Sequence, residues 1–144
     1  VDTYVGPEEA MLAIVKNYQG DVLDSINEIN ASRFAQIQAT DPQWLYTLGS
    51  YFAPNRDGSA GGARVMELVD QSGDSYYYQL LRLAQGTGQL RSDVDIQLMS
   101  HTLYCIANSA GERLIFAEAN FDALQEVLAQ QSAQVVTPYL NEAD

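Results

Sequence analysis

The feature that most restricts this chain lies in its second half. From about Ile96 to Ala119, the residues Ile96, Met99, Leu103, Ile106 and Ala110 recur at alternating steps of three and four. That spacing draws one apolar line along a helix and requires another helix to cover it. The rest of the chain agrees with a helical reading. Pro7 to Phe34 reads as one long amphipathic helix, with Pro7 in its first turn and Glu8 and Glu9 at its positive end. Its stripe is Met11, Val15, Tyr18, Val22, Ile26 and Ile29, and Gly20 is its weak point. Asp41-Pro42 starts a further helix through Trp44, Leu45, Leu48, Tyr51 and Phe52, and Pro54 stops it. Residues 54–63 read as the most flexible stretch, and Val65 to Val69 as either a brief helix or a loop.

Asp74 or Ser75 caps the next helix, which Gly86 and Gly88 end. Ser92, Asp93 and Asp95 offer caps for the long seam helix. Asn120 interrupts the pattern, and Phe121, Leu124, Leu128, Val135 and Tyr139 then line a last helix that Pro138 helps to terminate. No segment alternates with period two, and no internal repeat is present. The predicted class is therefore all-α, a single domain of five to six helices over residues 1–144.

Charge and length narrow the possible roles. The chain has 144 residues, 47% of them hydrophobic, enough for one domain with its own core and no disulfide or metal staple. Nineteen acidic residues against 7 basic ones give a net charge of -12, which makes the chain by itself a poor partner for nucleic acid. No apolar run approaches the roughly 20 residues of a membrane span, so no membrane partner is expected. One cysteine, Cys105, forms no internal disulfide, which suits a reducing cytoplasm. The chain opens on Val1 with no signal-peptide pattern, and a segment upstream is expected.

Few residues offer catalytic chemistry. The one histidine, His101, has no acid three residues before it, so the helical Glu-x-x-His metal pattern is absent and no metal or other cofactor is expected. Cys105 follows His101 by four residues and shares its helical face, a pairing that can activate a thiol but more often packs inertly. Gly86-Thr87-Gly88 lacks the lysine and preceding strand of a phosphate loop. No catalytic residue is assigned.

Aromatics are the stronger signal. Tyr76, Tyr77 and Tyr78 are separated by about 100° each on a helix, so at least one faces inward while another is exposed. Trp44, Tyr51, Phe52, Met66, Tyr77, His101, Tyr104 and Cys105 are candidates to line a pocket for a small apolar or aromatic ligand, with hydroxyls as polar handles. The same residues would equally fill a solid core. The run Ala107-Asn108-Ser109-Ala110-Gly111 permits close helix approach, either within one chain or across a two-fold axis. For a dimer interface the candidates are Leu103, Ile106, Ala110, Arg113, Leu124, Leu128 and Val135, with Arg113 placed to form an ion pair.

Residues 83–95, Leu-Ala-Gln-Gly-Thr-Gly-Gln-Leu-Arg-Ser-Asp-Val-Asp, resemble the hinge before the penultimate helix of TetR-family transcriptional regulators. Gly111 matches a glycine within that family's long helix, and Phe121 to Leu140 its final helix. The resemblance spans essentially the whole chain and implies the family's C-terminal ligand-binding and dimerisation domain, with the last two helices forming a four-helix bundle between two copies. It implies a cytoplasmic, non-enzymatic homodimer that senses a small-molecule effector. DNA would be bound only through an N-terminal helix-turn-helix head that this chain lacks. The competing expectations are a helical-bundle enzyme or cofactor-binding protein using His101 and Cys105, and a pure interaction module with a filled core.

Overall fold

Gly20 divides the first expected helix in two. In the computed structural model, which describes residues 7–39, 76–116 and 120–141, α1 is Pro7–Lys16 and α2 is Val22–Ala39. Gly20 takes φ +98°, a left-handed backbone that residues with a Cβ rarely adopt and that no α-helix continues through. Asp21 then restarts the helix: its Oδ1 accepts from Asp24 N at 3.0 Å and its carbonyl from Ser25 N at 3.2 Å. The single helix expected from Pro7 to Phe34 is thus corrected to a helix pair. The stripe survives the break, because Met11, Val15, Val22, Ile26 and Ile29 are all buried, and α1 packs against α2. The cap brings two carboxylates together, and the Asp21 charge holds the Asp24 carboxyl above its ordinary range. A carboxyl raised in the folded state favours folding at low pH, and that contribution is lost as pH rises through its folded value.

Three further helices follow among the described residues: α3 (residues 76–86), α4 (Ile96–Phe116) and α5 (Phe121–Val136), with a short 3-10 turn at Thr137–Tyr139. The fold is all-α. No helix among the described residues is long and apolar enough to cross a membrane. The expected helix at Asp41-Pro42, the stretch 54–63 and the segment Val65 to Val69 lie outside the described residues.

The link between α3 and α4 is a clasp. Gly88 (φ +84°) lets Gln89 N and Leu90 N both turn back to the Ala84 carbonyl, at 3.0 and 3.1 Å. Leu90 is buried and forms an isolated antiparallel bridge with Leu140, through Arg91 N to Tyr139 O and Asn141 N to Gln89 O. The Gln89 side chain reaches the other end of the chain, where its Oε1 accepts from Val22 N at 3.0 Å and from the Tyr18 hydroxyl. Gln85 Nε2 donates to the carbonyls of Arg91, Ser92 and Val94 and holds the loop closed. Asp95 caps α4 through Leu98 N, and Asn120, which interrupts the apolar pattern, caps α5 through Ala123 N.

Helix α4 packs against both α2 and α5. Met99, Leu103, Tyr104 and Ala107 of α4 are buried, as are Leu80, Leu81 and Ala84 of α3 and Leu124, Leu128 and Val136 of α5. Phe34 and Phe121 meet edge to face at 5.6 Å. A Cβ on Gly111 would stand 3.3 Å from Ile37 Cδ1. With Ala107 and Gly111 both buried, part of the small-residue run on α4 serves close packing within one chain.

Replacing Gln89 by Leu leaves the fully buried Val22 N–H without its acceptor. The expected loss is about 1–3 kcal/mol of unfolding free energy, read from urea denaturation at unchanged slope.

Candidate functional site

One flank of α4 carries a charge that the apolar stripes do not announce. Arg33 of α2 is only partly buried, and its guanidinium reaches two helices at once. Its Nη1 donates to the Tyr77 hydroxyl at 3.0 Å and its Nη2 to Asn108 Oδ1 at 2.7 Å. The Tyr77 hydroxyl in turn donates to Asn30 Oδ1, which is buried with the rest of Asn30. The guanidinium carbon stands 5.1 Å from the Tyr104 ring centroid and 6.0 Å from that of Tyr77. Both rings are fully buried. Cation–π attraction of about 0.5–2 kcal/mol holds the group over them.

The described partners of this cation are neutral. Among the described residues no carboxylate lies within ion-pair distance of Arg33, and the ion pair formed there is the exposed Arg91–Asp93 contact at 2.6 Å. A phenol, an amide and two π-faces orient the guanidinium without cancelling its charge. It also carries more N–H donors than these two bonds use. Chemically this is a cationic fork on an aromatic bed.

The other flank of α4 faces outward along its crease with α5. The two helices run antiparallel there, and two grooves lie end to end. One of about 280 Å³ is lined by Cys105, Ile106, Ser109, Arg113, Val127 and Gln131, among others. The second, of about 530 Å³, has Leu98, Thr102, Gln134, Val135 and Tyr139 among its lining, with Asp93 and Asp95 at its end. Large apolar side chains are exposed on this face: Leu98 at 65%, Val127 at 45% and Tyr139 at 43%.

The sequence-based candidates divide across these two flanks. Tyr77 and Tyr104 both belong to the Arg33 cluster. His101 and Cys105 do not join that interior: both are exposed, with Nε2 and Sγ 3.5 Å apart. Among the described residues no group of three His, Cys, Asp or Glu could hold a metal ion. Trp44, Tyr51, Phe52 and Met66 lie outside the described residues. Of the interface candidates, Ile106, Ala110, Arg113 and Leu124 line one groove and Val135 the other. Leu103 and Leu128 need correction, because each is 1% exposed and used inside the chain, leaving no surface for a partner. The residues missed are Arg33, Asn30 and Asn108 inside, and Leu98 and Val127 outside. No family model, curated protein or solved structure matches the chain.

Tyr77→Phe removes both the acceptor for Arg33 and the donor for the buried Asn30. A destabilisation of about 1–3 kcal/mol is expected in denaturant unfolding, well above the few tenths that loss of a solvated hydroxyl costs.

Proposed function

We propose that this chain is the effector-sensing and dimerisation domain of a TetR-like transcriptional regulator. It binds a small apolar or aromatic ligand on the α2-facing side of α4 and pairs with a second copy through the crease of α4 and α5. The observation that carries the reading is that one helix serves both places. On α4, Tyr104 and Asn108 turn toward α2 and the Arg33 cluster, while Thr102, Ile106 and Arg113 line the outer grooves with α5. At about 100° per residue these two sets lie on opposed flanks of the same rod. A ligand that displaces α4 on one side therefore changes the surface offered on the other.

A second copy is the occupant that best suits the outer face. Between its ends the crease is apolar or uncharged, so two chains of charge -12 meet there without opposing carboxylates. Arg113 lines one end and Asp95 the other, where Asp93 is already paired with Arg91. Antiparallel two-fold packing brings the basic end of each copy against the acidic end of the other. In the proposed regulator the ligand shifts a population between two dimer geometries, and so the spacing of paired DNA-binding heads. It does so only to the extent of its differential affinity for the two, about 5.5 kcal/mol for a nearly complete switch. The acidic charge of this domain confines attraction for DNA to such a head.

Sedimentation of the full chain, with native mass spectrometry of protein purified from cells, tests the reading. The expected species is a dimer carrying an organic mass. Val127→Glu is expected to weaken dimerisation by at least about tenfold with unchanged helix content, because it sets like charges on a desolvated face. Leu128→Ala should instead cost about 2–5 kcal/mol of fold stability. A wild-type monomer at micromolar concentration, or a Val127→Glu dimer of unchanged affinity, overturns the assignment.

A further inference from the structure

We propose that His101 and Cys105 form half of a Zn2+ site that a second copy of the chain completes, each α4 giving one thiolate and one imidazole. The proposal rests on the dimer reading above and assigns a metal to its two-fold axis. Both residues are exposed on the outward ridge of α4, and Cys105 also lines the groove of about 280 Å³ along the crease. Four residues apart on one helix, they face the same way. His101 Nε2 and Cys105 Sγ stand 3.5 Å apart. Tetrahedral Zn2+, with bonds of about 2.3 Å to sulfur and about 2.0 Å to nitrogen, sets those two ligand atoms about 3.5 Å from each other. The pair therefore spans one edge of the coordination tetrahedron. Among the described residues no third His, Cys, Asp or Glu joins it to hold a metal ion, so one chain provides half a site.

Charge places the other half. The pairing that sets Arg113 of each copy against Asp95 of the other has its two-fold axis halfway between them along α4, at the level of Tyr104. His101 and Cys105 bracket that level on the outward side. A two-fold axis exchanges opposite edges of a tetrahedron, so two such pairs meeting there supply all four corners. Thr102 and Ser109 beside them are small, which lets two α4 helices come close enough to share one ion. Thiolate with imidazole suits Zn2+, whereas Mg2+ and Ca2+ take oxygen ligands. On binding, each Cys105 S–H bond breaks and its proton passes to solvent; the sulfur electron pair forms the Zn–S bond, and each neutral imidazole gives its Nε2 lone pair. Two thiolates cancel the charge of the ion, so the closed interface buries no net charge. Two chains of charge -12 also draw a divalent cation toward them.

The test uses the untagged full chain, stripped with a chelator and kept reduced, with Zn2+ as ligand and Co2+ as its spectroscopic stand-in. Titration is expected to end at one Zn2+ per two chains, with dimerisation at least about tenfold tighter in sedimentation than under chelator. Co2+ is expected to give thiolate charge-transfer absorption and the strong visible bands of a tetrahedral site. Cys105→Ser and His101→Ala, both at exposed positions, should keep their helix content and lose the zinc-dependent part of dimerisation. Should either variant fold poorly, the Co2+ spectrum of the wild-type chain decides, and an octahedral spectrum without thiolate absorption overturns the proposal. A dimer equally strong with Zn2+ and with chelator overturns it and leaves the dimer reading standing. Zinc bound at one ion per chain, or held by Cys105→Ser at wild-type affinity, also overturns it. A wild-type chain that stays monomeric in both conditions sinks the proposal and the dimer reading together.

Discussion

The fold depends on α4 being packed on two sides at once. Its 21 residues make up the longest described helix, and successive side chains are turned about 100° apart, so each neighbour reads a different subset of them. Met99, Leu103 and Ala107 are spent in the shared core. Asn108 and Gly111 face α2, one through a hydrogen bond to Arg33 and the other through a contact with Ile37 too close for comfort with a side chain. Ile106 and Arg113 border α5 and solvent. Such an arrangement leaves α4 little freedom to move alone, because close-packed interiors shift between discrete arrangements more readily than they deform. The clasp at Gln85 to Leu90 fixes where α4 begins and ties that point to both ends of the chain, through Val22 and Leu140.

Charge gives the same geometry its second constraint. A guanidinium withdrawn from water loses hydration that its protein partners must replace. Among the described residues Arg33 is held by rings and neutral dipoles, which fix the guanidinium in position. Arg91 illustrates the ordinary alternative: it forms a bidentate pair with Asp93, both side chains largely in water, worth at most about 1 kcal/mol. The two arginines therefore differ in kind. One is paired with a carboxylate on the surface; the other is partly buried and held, among the described residues, by neutral groups.

The helices were legible in the sequence because burial on one side of a helix leaves a local, periodic trace. The seam from Ile96 to Ala110 and the cap at Asp95 are read within a few residues of one another, and the structure has a helix and its cap there, while Asn120, legible only as an interruption, proves to be the cap of α5. Gly20 was visible as a weak point, but whether a glycine bends a helix or ends it depends on what the next helix packs against. Arg33 left no trace, since its partners lie 44 and 75 residues away and a lone arginine on a helix reads as a solvated face. Two of the outer-face candidates, Leu103 and Leu128, lie inside for a related reason. A seam of threes and fours was drawn through the most apolar line, which the chain covers for itself at Leu103 and Leu128. The stripe beside it, Leu98, Thr102, Cys105 and Ser109, is too mixed to stand out by periodicity, although Leu98, Cys105 and Ser109 are exposed.

That displacement of the free surface, from the most apolar stripe to the next one, bears on the coupling itself. A dimer built on Leu103 and Leu128 would be inseparable from folding, and a ligand could alter it only by loosening the core. A dimer built on Leu98, Ile106 and Val127 rests on a folded subunit, so its strength can vary while the core stays intact. Linkage then works in both directions: whatever free energy the proposed ligand contributes toward one pairing of the outer faces, that pairing returns as tighter grip on the ligand. In the proposed sensor the coupling would run through α4, whose inner flank meets Arg33 and whose outer flank would meet the second copy. A sensor needs this separation, since the same side chain cannot both hold the fold together and be free to report a change in it.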